Sequence, residues 1–222
     1  MTSRLRNVAH RDRLLASGQE ADVFLRPDGL LAKRSRADRD LRPEAELMRH
    51  LRAHGVPVPR VEEAHRTELV MEYVPGPRMS QELDARPWRA AALGRQLAEL
   101  HRGLDEVPAP DFVPGEGGLL HLDLHPGNVV LGPEGPVVVD WADAARGDRR
   151  VDVALSWLAV AVAPLRPLRR WARGRLVRSL LDGVGGEVRQ AMPAAARIRL
   201  ARRQRDAAEV AAVTRLVRRC TG

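Results

Sequence analysis

The sequence predicts an α+β fold, a small antiparallel sheet with one helix followed by a mostly helical region. Three observations carry that expectation. Residues 14–33 alternate short apolar runs with turn residues. Pro75-Gly76-Pro77 interrupts the chain where the strand signals stop. Beyond it, apolar residues recur mainly at helical spacing. The order of elements gives two lobes, residues 1–76 and 77–222.

Each element has a local reason. Leu14-Leu15, Val23-Phe24-Leu25 and Leu30-Leu31-Ala32-Lys33 read as three strands, joined by a glycine turn at Gly18 and a tight Pro27-Asp28-Gly29 turn. A helix is expected from about Arg42, with Pro43 in its first turn and Gly55 beyond its end. Leu47, Met48 and Leu51 form its apolar stripe. Glu44 lies three and four residues before the first two, so it projects from the same face. Val56–Val61 reads as extended and Glu68–Val74 as a strand. A long helix is expected from about Trp88 to Leu104, with Leu93, Leu97, Leu100 and Leu104 on one side. Gly132-Pro-Glu-Gly135 then joins two apolar runs as a hairpin. If Leu131 opposes Pro136, Asn128 opposes Val139 and Asp140 lies beside Asn128.

Composition narrows the function classes. The chain has 222 residues, 44% hydrophobic and 30% charged, which describes a soluble globular protein with a real core. Its one cysteine, Cys220, excludes a disulfide framework or a thiolate metal cluster. The longest apolar run, Val153–Ala163, is too short to span a bilayer. The first residues, with Arg4, Arg6, Arg11 and Arg13, lack a signal peptide's apolar stretch, so a cytoplasmic location is expected.

Charge is unevenly spread. From Val151 onward 15 arginines face 5 acidic residues, whereas residues 1–150 hold 22 basic against 24 acidic ones. A basic last third suits an anionic partner or a solvated face. Arg197–Arg219 carries no aromatic residue for base stacking, so nucleic acid is not the expected partner. Of the 37 basic residues, only Lys33 is a lysine. A lysine's compact point charge suits a tight phosphate site that a planar guanidinium does not fit.

The chemistry-bearing residues concentrate in His121-Leu-Asp-Leu-His-Pro-Gly-Asn128 and Asp140. An amide and a carboxylate converging at a hairpin end suit a hard cation such as Mg²⁺ bridging phosphate oxygens. Asp123, five residues before Asn128, is placed to orient a hydroxyl and accept its proton. His121, Asp123 and His125 alternate, so a transition-metal hydrolase is a competing reading, but it uses neither Lys33 nor Asn128.

His121-x-Asp123-x-x-x-x-Asn128, His125-Pro-Gly-Asn128 and Asp140-Trp141 through Asp152 resemble the aminoglycoside phosphotransferase family of small-molecule kinases. The resemblance covers about residues 14–160 and implies a bilobal protein-kinase-like fold. It implies ATP and Mg²⁺ as cofactors and a nucleotide and a small molecule as ligands. Asp123 would then be catalytic, and Asn128 and Asp140 would hold the metal. Lys33 would contact the α- and β-phosphates with Glu44 as its ion-pair partner. Ser17-Gly18 would belong to the phosphate-covering loop, and the backbone of Glu72 and Val74 would meet the adenine. Asp152 would brace the catalytic loop. Two features depart from the family. Leu122 stands where glycine is usual, and the basic last third opposes polycationic drugs. Two further readings share the motif. Ser17-Gly-Gln-Glu-Ala-Asp-Val23 also looks like atypical protein kinases, and an inactive kinase-like module would bind an anionic partner through its arginine-rich C-terminal region.

Overall fold

Five antiparallel strands form the larger sheet: β1 (Arg13–Ser17), β2 (Ala21–Leu25), β3 (Leu31–Ser35), β4 (Val61–Ala64) and β5 (Glu68–Met71), in the order β1-β2-β3-β5-β4. The computed structural model describes residues 12–18, 20–163, 170–201 and 207–221. The turn from β2 to β3 is made as its sequence requires. Gly29 takes a φ of +85°, and the Asp28 carboxylate accepts the Leu30 N–H at 3.1 Å. In β3 the consecutive residues Ala32 and Lys33 are both buried, so both faces of this central strand are covered. Lys33 pairs across the ladder with Val23 on β2 and Leu69 on β5.

Helix α1 (Arg42–Ala53) begins where Asp40 accepts the Arg42 N–H and ends before Gly55, whose φ is +79°. Its inward face is Glu44, Ala45, Leu47, Met48 and Leu51, all buried. Val61–Ala64 is a strand rather than the tail of an extended link, because β5 offers it a free edge on the side away from β3.

The remaining elements are mainly helical: α2 (Met79–Ala85), a 3₁₀ turn at Pro87–Arg89, α3 (Ala90–Asp105), α4 (Arg149–Val162), α5 (Arg170–Val184), α6 (Met192–Ala201) and α7 (Ala207–Thr221). Between α3 and α4 lie β6 (Gly118–Leu120), β7 (Val129–Gly132), β8 (Gly135–Val138) and β9 (Ala145–Gly147). β6 pairs with β9, and β7 pairs with β8. The expected register holds, with Leu131 opposite Pro136. The loop is tighter than expected, since Gly132 and Gly135 are themselves paired and only Pro133-Glu134 make the turn.

The chain divides into two compact units. One comprises the described residues of Met1–Arg49 and Pro59–Tyr73, the other those of His50–Val58 and Val74–Gly222. Residues 50–58 group with the second because Val138 N–H donates to the Pro57 carbonyl at 2.8 Å.

In the second unit α3 and α5 cross closely at two glycines. A Cβ at Gly94 would strike the Leu176 carbonyl and lie 2.9 Å from Ser179 Cβ, and one at Gly183 would lie 2.6 Å from Ala98 Cβ. Gly94→Val is therefore expected to destabilise the fold by about 1–3 kcal/mol through overpacking, despite valine's lower backbone entropy cost. Urea denaturation checks this, and an unchanged midpoint would refute the close crossing.

Candidate active site

Each unit carries part of the predicted site. In the first unit, Lys33 Nζ lies 2.8 and 2.9 Å from the two Glu44 oxygens. Both side chains are at most 10% exposed, so the two charges form a buried ion pair. Strand β3 sets the lysine and the first turn of α1 sets the glutamate. Ser17 and Gly18 close the turn from β1 to β2. Gly18 N–H donates to the Ala21 carbonyl at 2.9 Å, and Arg36 donates to the Ser17 hydroxyl at 2.6 Å. Gln19 of that turn lies outside the described residues. Glu72 follows β5, with its N–H on the Arg60 carbonyl and its carboxylate on the Arg60 N–H. Val74 begins the stretch assigned to the second unit.

In the second unit the loop from His121 to Asn128 brings together most of what the sequence singled out. Asn128 Nδ2 donates to both the carbonyl and Oδ2 of Asp123, each at 3.0 Å. With both amide hydrogens engaged there, the donor that Asn128 can offer a cation is its Oδ1. Val139 N–H donates to the Asn128 carbonyl at 3.0 Å, continuing the β7–β8 ladder by one pair, so Asp140 emerges next to Asn128 at the hairpin's open end. Asp140 is exposed and sits at a φ of +68°. An amide oxygen and a carboxylate are hard oxygen donors of the kind Mg²⁺ takes, so the residues fit that ion.

The two histidines of the motif hold the loop rather than forming a ligand set. His121 is fully buried against Trp141, with ring centroids 4.4 Å apart. Its Nδ1 accepts the Asp123 N–H at 3.2 Å, which leaves Nε2–H to donate to the Val139 carbonyl at 3.2 Å. This ring ties the His121–Asn128 loop to the residue that follows β8. Burial pushes its pKa down, outweighing the nearby Asp140 and Asp123 carboxylates. His125 Nδ1 accepts the Gly127 N–H at 2.9 Å, and its Nε2 stands 3.5 Å from Asp123 Oδ2. Among the described residues no three His, Cys, Asp or Glu side chains converge as a metal centre, so the hydrolase alternative lacks its ligand geometry.

Leu122, where the sequence departs from glycine, adopts a φ of +64°. A left-handed leucine costs on the order of 1–2 kcal/mol. Asp152 offsets it, with Oδ2 accepting the His121 N–H at 3.1 Å and Oδ1 the Leu122 N–H at 2.6 Å.

Sequence reasoning passed over His101 on α3. It is buried with Nε2 2.9 Å from Ser156 Oγ, and burial pushes its pKa from 6.5 down to about 3. Its position in the helix, next to Leu100, gave no sign of a polar partner. An unfolded chain gains a proton on this ring near pH 6.5 that the folded chain refuses. Stability is thus full above that pH and falls on acidification, by up to about 1.4 kcal/mol per pH unit per buried histidine. Urea midpoints measured from pH 7 to 5 should fall, and His101→Gln should flatten the slope. An identical slope in wild type and variant would contradict this.

A cavity of about 300 Å³ opens at the start of α4, lined in part by Arg149, Arg150 and Gly185. None of the residues expected to touch nucleotide, metal or acceptor lines it, and Arg149 and Arg150 pair there with Asp105 and Asp148. No helix among the described residues is long and apolar enough to cross a membrane.

Comparison with known proteins agrees with the motif. The family model for the phosphotransferase enzyme family, APH, matches residues 12–114 and 104–198. A comparison with curated proteins finds no match. Solved structures share the fold at low identity. The streptomycin-ATP-APH(2")-IIa ternary complex is 15% identical, with 86% of this chain and 84% of that chain covered and a TM-score of 0.61. A choline/ethanolamine kinase family protein from Mesorhizobium loti is 18% identical, with 97% and 88% covered and a TM-score of 0.59. The amicoumacin kinase hAmiN in complex with AMP-PNP, Ca²⁺ and Ami is 15% identical, with 94% and 87% covered and a TM-score of 0.56. The matched span, and the kinase-like fold these structures share with it, establish that the chain belongs to the phosphotransferase enzyme family, enzymes that transfer a phosphoryl group to an alcohol.

Proposed function

We propose that this protein transfers the γ-phosphoryl group of ATP to a hydroxyl of a neutral or anionic small molecule. The observation that supports this best is the Asp123–Asn128 pair at the end of the β7–β8 hairpin beside Asp140. Similar structures that hold nucleotide, ATP in one and AMP-PNP with Ca²⁺ in another, support ATP as the donor. The surplus of arginine after Val151 argues against a polycationic acceptor.

In this reading residues 1–76 serve the nucleotide and residues 77–222 carry the catalytic and acceptor-binding groups. Lys33, oriented by Glu44, neutralises the α- and β-phosphates. Ser17 and Gly18 cover the phosphates, and the backbone of Glu72 and Val74 meets the adenine. Asn128 and Asp140 would hold Mg²⁺, which when bound neutralises charge on the phosphate oxygens. Asp123 aligns the acceptor hydroxyl in line with the γ-phosphorus. As the new oxygen–phosphorus bond forms and the β,γ-bridging bond breaks, the hydroxyl proton passes to the Asp123 carboxylate and ADP departs. Catalysis arises from positioning and charge neutralisation without a covalent enzyme intermediate.

The test is a screen of hydroxylated metabolites with Mg·ATP, reading ADP release and a new phosphate-monoester signal by phosphorus NMR. A phosphorylated metabolite made by wild type and not by Asp123→Ala is the expected result. Phosphate appearing on protein instead would replace this reading with that of a protein kinase.

A further inference from the structure

The short segment that carries Asp123 is gripped on both sides by one helix. On the N-terminal side, Asp152 of α4 accepts the N–H groups of His121 and Leu122. On the C-terminal side, the Ser156 hydroxyl donates to the Leu124 carbonyl. Asp152 and Ser156 are four residues apart, so they share one face of α4 and hold the peptides flanking Asp123. The Ser156 hydroxyl has a second acceptor within reach, the Asp152 backbone carbonyl at 3.3 Å. A serine in mid-helix commonly turns back to that i−4 carbonyl, which here would release the loop.

A third residue opposes that rotation. His101 of α3 places Nε2 2.9 Å from Ser156 Oγ. The serine has one hydrogen and gives it to Leu124, so the histidine donates and carries its proton on Nε2. Its Nδ1 faces Asp152 Oδ2 at 3.6 Å. All three residues are buried, at 3% exposure or less. Three buried polar groups on two helices are costly unless mutually satisfied, and the phosphoryl-transfer steps use none of them directly.

We propose that His101 and Ser156 are positioning residues for phosphoryl transfer, with His101 holding the Ser156 hydroxyl on the Leu124 carbonyl so that the backbone on both sides of Asp123 is fixed. This rests on the reading of Asp123 as the group that aligns the acceptor. His101→Leu removes the donor, His101→Gln keeps one, and Ser156→Ala removes the grip itself.

Four readouts are compared with wild type: thermal melting, calorimetric titration with Mg·AMP-PNP, ADP release from Mg·ATP with water as acceptor, and amide exchange by mass spectrometry over residues 119–125. His101→Leu and Ser156→Ala should stay folded and keep AMP-PNP affinity within about twofold, yet lose about tenfold or more in turnover. Exchange in the segment should quicken while the β7–β8 hairpin stays protected. His101→Gln should restore most of both. Unchanged turnover in folded His101→Leu and Ser156→Ala, a parallel loss of affinity and turnover, or no rescue by glutamine would overturn the proposal. If wild type itself neither binds AMP-PNP nor releases ADP, the phosphotransfer reading falls and the positioning role with it. Exchange in the variants then reports separately whether the clamp exists.

Discussion

Asp123→Ala is expected to lower phosphoryl transfer by about 10²–10⁴-fold, the range typical of losing a positioned acid–base group. Binding of Mg·ATP should persist. The geometry explains why the two separate. Asn128 donates to the Asp123 side chain, but it donates equally to the Asp123 backbone carbonyl, which alanine retains. Its amide therefore stays oriented, and Oδ1 remains where a cation would use it. Asp123→Asn should lose turnover similarly, since the amide keeps the shape without a basic oxygen. Steady-state ADP release together with calorimetric titration checks both variants. Full turnover in either would remove Asp123 from the reaction.

Glu44→Ala is expected to cost about 3–5 kcal/mol of stability, because it breaks a buried ion pair and takes away the carboxylate that meets the Lys33 ammonium in a nearly dry site. The carboxylate now meets that charge through both oxygens, at 2.8 and 2.9 Å. A paired replacement distinguishes the loss of the ion pair from lost packing. Lys33→Met with Glu44→Leu should recover much of the loss, since an apolar pair of similar volume needs no compensation. Denaturant unfolding of the single and double variants measures this. A double variant no more stable than Glu44→Ala would contradict it. If Lys33 also serves the nucleotide, the stable double variant should still bind ATP poorly.

Local rules made the site more legible than the fold around it. Gly132 and Gly135 fixed the hairpin, and counting back along its ladder put Asn128 opposite Val139 and Asp140 at the open end. The helical spacing of α1 likewise put Glu44 on its buried face. What escaped depends on contacts distant in sequence. Helix α2 has only seven residues, anchored by Met79 and by a buried Glu82 whose partners, Arg86 and Arg89, look like surface arginines in the chain. Strand β4 holds Glu62 and Glu63 and reads as a link until β5 gives it a ladder. His101, 51 residues before Asp152, has no periodic signature because its partners both come from another helix. Leu122 was visible as a departure from glycine. That Asp152 stabilises its left-handed backbone emerged only from the geometry.

The reading of this chain as a working phosphotransferase stands on nucleotide binding that depends on a divalent cation. Calorimetric titration with ATP, with and without Mg²⁺, on wild type and Asp140→Ala tests it most directly. The account predicts saturable binding to wild type that Mg²⁺ strengthens, with that strengthening lost in Asp140→Ala. Absence of ATP binding to folded wild type, or equal Mg²⁺ dependence in the variant, would contradict it.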